Sequence, residues 1–292
     1  MSYKTILVHC NDKERLRRQV DVAAPLAAAF GARLVGVSVI PPVAVIPAGM
    51  PGAADVIVID ERAKAYRAAN PAMKSAFEEA ARAHNVVAEW REGDAGSSTV
   101  ARVLMRHART ADLVVALQSA SNRNGSLDLD IAERLALECG RPVLIVPNTG
   151  SHRPIPKRIV VGFTDRREAT RAVFDALPLL QRAEKVTVIE VDPNPGPEIA
   201  EMRAQLCATL THHGVTCEED TAASRHGNAG DALLACCERM KADLLVMGCY
   251  GHSRLREFVL GGGQSSSASR HDAPGPHVAL EPSAPMDIRN AS

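Results

Sequence analysis

The chain has 292 residues, 34 Lys plus Arg against 34 Asp plus Glu, and only 3% aromatic residues. Balanced charge and scarce rings remove both phosphate neutralisation and base stacking, so nucleic acid is not an expected partner. No apolar run reaches the roughly 18 residues that span a bilayer, and Met1 to Cys10 reads as a strand with no signal-peptide core, so the expectation is a cytoplasmic chain without membrane contact.

In chain order, Lys4-Thr5-Ile6-Leu7-Val8 is a short apolar run followed by the turn residues Asn11 and Asp12, which predicts a first strand. Helix-period residues follow from Leu16 to Phe30, then a strand pattern from Leu34 to Ile40. Pro41 to Asp60 carries Pro41, Pro42, Pro47 and Pro51 with little charge and reads as a long loop, either a packed insertion or a lid. Helix period returns from Ala63 to His84, and the near-continuous Leu113-Val114-Val115-Ala116-Leu117 fits a strand buried on both sides. Pro142-Val143-Leu144-Ile145-Val146-Pro147 is a credible closing strand, and Thr149 to Pro156, with Gly150, Pro154 and Pro156, works as a linker.

The same order then recurs. Lys157-Arg158-Ile159-Val160-Val161 with Thr164-Asp165 repeats the first strand; His213-Gly214-Val215 repeats His84-Asn85-Val86; Ala242-Asp243-Leu244-Leu245-Val246 repeats Ala111-Asp112-Leu113-Val114-Val115. Three matches in one order mark a duplication. Strands alternating with helices mean βαβ units and parallel sheets, so the expected fold class is two tandem open α/β sandwich domains. Seven cysteines at irregular spacing lie mostly in apolar patterns such as Leu233 to Cys237 and read as reduced thiols. No Cys-x2-Cys or His-x3-His spacing accompanies Cys236, Cys237, His212 or His213, so no metal site is expected.

After the strand Leu244 to Met247 come Gly248, Gly251 and Gly261, with two residues in the first gap and nine in the second. Glycine permits positive φ and lets backbone N–H groups approach phosphate oxygens; the alternative is glycines that only make a tight strand-to-helix turn. Leu255, Phe258 and Val259 have the spacing of a short helix inside the longer gap, and a helix starting after Gly261 would aim its free N–H groups at an anion. Neither a Gly-x4-Gly-Lys-Ser/Thr loop nor a Gly-x-Gly-x2-Gly turn occurs.

Met247-Gly248-Cys249-Tyr250-Gly251-His252-Ser253-Arg254-Leu255 through Gly261 resembles the Gly-x2-Gly-x9-Gly-Ser/Thr signature of ATP-binding universal stress proteins. The resemblance covers both copies up to about Gly262 and suggests a tandem member of that family. It implies a Rossmann-like fold of the adenine nucleotide alpha hydrolase type, a five-stranded parallel sheet per copy, and adenosine beside the first and fourth strands. The residues it nominates for nucleotide contact are Thr164, Asp165, Met247, Gly248, Gly251, His252, Ser253, Arg254, Gly261 and Gly262. His252 and Arg254 read equally as phosphate ligands or as solvated surface.

The sequence departs from the family pattern in two places. Thr164 stands where the family's nucleoside-contacting Asp usually ends the first strand, with Asp165 displaced by one, and Gly262 replaces the Ser or Thr after the third glycine. In the first copy, Gln118-Ser119-Ala120-Ser121-Asn122-Arg123-Asn124-Gly125 lacks the glycine pattern altogether. The expected domains are therefore 1–150 without the motif, 155–264 with it, and 265–292 as an aberrant, disordered tail that leaves the second domain without its last strand. Read one base later with suitable third bases, codons for His271 to Ala279 permit a strand like Arg141 to Val146, and those for Gly263 to Ser265 permit Val-Ser-Arg. Both point to a frameshift near Gly262 or Gly263.

The resemblance implies a non-enzymatic stress-response protein that binds ATP or a related adenine nucleotide through its second domain, with a role for Mg²⁺ undetermined. No nucleophile, base and orienting group occur together. The alternatives are a nucleotide-free protein-interaction module of the same fold and a slow ATP hydrolase. Family pairing through last strands implies intramolecular domain pairing, and an unpaired edge at Pro142 to Val146 would favour homodimers.

Overall fold

The computed structural model describes residues 2–42, 53–118, 131–148, 153–190, 196–221, 229–249 and 277–281. It is an α/β fold in which parallel strands alternate with helices, divided into two compact units: Tyr3–Ala116, and Leu117–Ser292 together with Met1–Ser2.

The first unit runs β1 (Thr5–His9), α1 (Leu16–Phe30), β2 (Arg33–Ile40), α2 (Ala53–Ala83), β3 (Ala88–Asp94), α3 (Val100–Ala108) and β4 (Leu113–Leu117), in strand order β3-β2-β1-β4. Pairing is parallel throughout, with Ile6 opposite Leu34 on one side and Leu113 on the other. Ile6, Leu7 and Val8 are fully buried, as a central strand covered on both faces requires. The helix α2 begins at Ala53, ten residues before the expected Ala63, so the long-loop reading of Pro41 to Asp60 fails for its last eight residues. The run Val56-Ile57-Val58-Ile59 carries no helical polarity pattern of its own, but it extends a helix already favoured by the Ala-, Lys- and Glu-rich stretch that follows.

The second unit contains α4 (Ile131–Glu138), β5 (Val143–Val146), β6 (Arg158–Phe163), α5 (Arg167–Asp175), α6 (Leu177–Leu180), β7 (Lys185–Glu190), α7 (Pro197–His212), β8 (Cys217–Thr221), α8 (Ala229–Met240), β9 (Leu244–Gly248) and β10 (His277–Glu281). Its strand order is β5-β10-β9-β6-β7-β8. Successive residues of the edge strand β8 meet opposite helix layers: Glu219 bonds Arg203 of α7, and Asp220 bonds Arg239 of α8. That alternation is the open sandwich in miniature.

The repeated motifs have structural causes. Asp112 accepts the backbone N–H groups of Lys4 and Thr5 at 2.8 and 2.9 Å, and Asp243 accepts those of Lys157 and Arg158 at the same distances. Each repeated Ala-Asp therefore anchors the start of its copy's first strand. Asn85 and Gly214 have φ of 55° and 79°, the left-handed turn that stops a helix, and Val86 and Val215 close it by donating to Ala81 and Leu210 at 2.9 and 3.0 Å.

Through residue 264 the second copy supplies four parallel strands, β6 to β9. The second copy thus lacks a last strand of its own, as expected, and beside β9 a segment of the tail, His277–Glu281, pairs parallel with Leu244–Gly248 along all five residues. This strand forms in the reading frame as written, because ladder bonds to partners on both sides compensate for a weak local β pattern. Its other side pairs antiparallel with β5, Val278 opposite Ile145 and Leu280 opposite Val143. The expected free edge at Pro142 to Val146 is therefore corrected: that edge is taken by the chain's own tail, and the argument for homodimers through it lapses. The same pairing places α4 and β5, which the sequence repeat assigns to the first copy, in the second compact unit. A further correction concerns the cysteines, since Cys207 and Cys217 are joined as a disulfide where α7 packs on β8.

Candidate functional site

The order β9-β6-β7-β8 means that the chain leaves β6 in one direction through β7 to β8, then returns past its starting point to β9. The topological switch point thus lies between β6 and β9, and in open parallel sheets ligands settle outside the carboxyl ends at such a point. Register fixes the two ends there, with Gly162 opposite Met247. The loop leaving β6 carries Thr164 and Asp165, both exposed, and Arg166 donates its N–H to the Thr164 carbonyl at 2.7 Å. The loop leaving β9 begins at Gly248. The structure therefore brings Thr164, Asp165 and Gly248 to the carboxyl ends of the two switch-point strands.

Gly248 has a packing role that sequence reading did not separate from a phosphate role. A Cβ there would meet the backbone at the start of α5, 2.6 Å from the Glu168 carbonyl carbon and 2.8 Å from Ala169 Cα, besides the Ala169 nitrogen. Only glycine lets the end of β9 approach that helix terminus, which has no side-chain cap at Arg166. Met247 is half-buried and packs on the core cluster of Val160, Ile189, Leu233, Cys236, Cys237, Ala242 and Leu245. Gly251, His252, Ser253, Arg254, Gly261 and Gly262 lie outside the described residues, as does the expected helix around Leu255.

Several polar groups near this end of the sheet were not singled out from sequence. Glu168, only 4% exposed in the first turn of α5, accepts from Arg167 Nε at 2.8 Å. Burial pushes its carboxyl up, but the Arg167 bond, a backbone N–H and the charges of Arg167 and Arg166 together outweigh burial and hold it below the usual range. Cys249 is 2% exposed, and burial, with the Glu133 and Glu168 carboxylates nearby, pushes its thiol up to about 12. At the end of β7, opposite Phe163, Glu190 is 3% exposed and accepts from Arg203 Nη1 at 3.1 Å. A charged residue closing the apolar run Val186-Thr187-Val188-Ile189 was the available sequence signal for it.

The first copy commits the matching groups internally. Asn11 extends the β1–β2 ladder with its carboxamide, Nδ2 donating to the Val39 carbonyl at 2.7 Å and Oδ1 accepting the Val39 N–H at 2.9 Å. The carboxylate of Asp12 accepts N–H groups of Glu14 and Arg15 at 3.0 and 3.1 Å, and Gln19 Nε2 donates to the His9 carbonyl at 2.8 Å. Among the described residues, no group of three or more His, Cys, Asp or Glu side chains is arranged to hold a metal ion, and no helix is long and apolar enough to cross a membrane.

Comparison with known proteins agrees with this architecture. A universal stress protein from Archaeoglobus fulgidus superposes with a TM-score of 0.65 over 95% of this chain and 96% of its own, at 15% identity. A functionally unknown protein from Pseudomonas aeruginosa PAO1 superposes with a TM-score of 0.50 over 96% of this chain and 92% of its own, at 14% identity. A universal stress protein solved in complex with cAMP aligns with 50% of this chain and 98% of its own, at 22% identity and a TM-score of 0.31. At these identities the first two likenesses speak for the fold alone. No curated protein matches the chain in sequence. The sequence model of the universal stress protein family matches residues 2–147, half of the chain, and this chain therefore belongs to the universal stress protein family.

Proposed function

We propose that the chain is a non-enzymatic, ATP-binding stress-response protein whose second copy holds the nucleotide outside the carboxyl ends of β6 and β9. The observation that carries this reading is where β9 ends: Gly248 stands at the carboxyl end of one switch-point strand, beside β6, which leads into Thr164 and Asp165. In this reading Thr164 and Asp165 face the nucleoside, while Gly251, His252, Ser253, Arg254, Gly261 and Gly262 supply the phosphate cradle. Gly248 sets the close approach of β9 to α5, so that the uncapped first turn of α5 borders the same crevice. The first copy acts as a scaffold half, its Asn11 already engaged with Val39.

A second reading, a nucleotide-free interaction module, is favoured by Thr164 in the place of the family's Asp and by Gly262 in the place of its hydroxyl residue. Calorimetric titration with ATP separates the two. The expected result is saturable binding by the native chain, lost in Gly251→Val, whose side chain obstructs the loop while far-ultraviolet circular dichroism stays unchanged. Absence of binding by folded native chain would favour the interaction module.

A further inference from the structure

We propose that Cys207 and Cys217 form a reversible thiol–disulfide site, reduced by dithiols and re-formed by disulfide exchange, that governs how firmly the edge strand β8 is held to α7. This inference is independent of nucleotide binding. Cys207 lies in the third turn of α7 and Cys217 opens β8; their Cα atoms are 5.6 Å apart across a sequence separation of 10. The proximity is set by the helix stop between them, where Gly214 adopts φ of 79° and Val215 donates to Leu210 at 3.0 Å. Reduction therefore leaves the two sulfurs close, and the bond can form again without refolding.

Access is unequal, which gives the chemistry a direction. Cys207 is buried, whereas Cys217 is half-exposed on a strand that, among the described strands, pairs with β7 alone. The remaining five cysteines, Cys10, Cys139, Cys236, Cys237 and Cys249, are all buried and outside any disulfide. Burial pushes the Cys237 thiol up to about 12 and that of Cys10 higher still, so neither supplies a competing thiolate near neutral pH. An incoming dithiol attacks Cys217 Sγ with one thiolate, forming a mixed disulfide and releasing Cys207 as a thiolate that takes up a proton. The second thiol of the reductant then displaces Cys217, so that two electrons and two protons pass to the chain and the reductant leaves as its own disulfide. An oxidised dithiol runs the same steps in reverse.

Among the described residues, the disulfide is one of two side-chain cross-links between α7 and β8. Arg203, four residues before Cys207 and on the same helix face, is the other: its Nε donates to Glu219 of β8 and its Nη1 to Glu190 of β7, each at 3.1 Å. Glu219 is 36% exposed, so the Arg203–Glu219 pair is open to solvent on one side and holds the strand weakly by itself. Reduction leaves β8 with that pair, the Asp220–Arg239 bond to α8 and the ladder to β7.

The test uses the native chain purified without reductant. Thiol counting in denaturant is expected to find five of the seven cysteines free, and all seven after dithiothreitol treatment of the folded chain. Amide exchange at 217–221 should then accelerate about tenfold or more, as expected for loss of a loop-closing cross-link. The Cys207→Ser/Cys217→Ser double variant should exchange at the reduced rate with or without dithiothreitol. Seven free thiols before reduction, thiols released only on unfolding, or unchanged exchange in β8 after reduction would each overturn the proposal.

Discussion

Gly248→Ala is expected to destabilise the second unit by about 3 kcal/mol, the upper part of the range for forcing atoms into a well-packed site. The cost is high because the intruding methyl meets main chain: the carbonyl carbon of Glu168 at 2.6 Å and the Cα of Ala169 at 2.8 Å cannot rotate aside as a side chain would. Gly162→Ala provides the control on the neighbouring strand. Its Cβ would lie 3.0 Å from a methyl of Leu233, the far end of a flexible side chain, and the expected loss is below about 1.5 kcal/mol. Urea denaturation of the two variants beside the native chain measures both. Equal losses would mean that the approach of β9 to α5 does not depend on glycine.

The second large effect is expected at Arg203. Arg203→Met should cost about 3 kcal/mol, because it withdraws the guanidinium from a Glu190 carboxylate that is 3% exposed. Replacing both charges in Glu190→Met/Arg203→Met should recover most of that loss, since an apolar pair needs no counter-charge at this depth. A double-mutant cycle read from urea midpoints gives the coupling. If the double variant is as unstable as the sum of the single ones, the two groups do not act as a pair.

Much of the frame was legible before any coordinates. Leu16 to Phe30 and Leu113 to Leu117 coincide with α1 and β4 because each has a clear period or an unbroken apolar run with clear stops. The duplicated Ala-Asp and His-x-Val motifs were legible as repeats, and the structure supplies their cause in a carboxylate that anchors a strand start and a left-handed helix stop.

What escaped notice depends on partners distant in sequence. His277–Glu281 becomes a strand through ladders to β9 and β5, which lie about 30 and 130 residues away, and its own pattern is too short to announce it. The first ten residues of α2 look β-branched and are helical by continuation. Cys207 and Cys217 look like unrelated thiols until α7 is folded back on β8. For the candidate site, the motif pointed to the end of β9, but a glycine pattern alone does not distinguish approach to a ligand from approach to a helix, and at Gly248 the helix is already there.

The most direct test of nucleotide binding in the second copy is amide hydrogen exchange with and without saturating ATP. Slowed exchange is predicted at residues 163–169 and 244–249, the two chain segments that border the switch point, with no change at the corresponding 9–15 and 113–118 of the first copy. Slowing confined to the first copy, or none in either copy of a folded sample, would contradict the assignment.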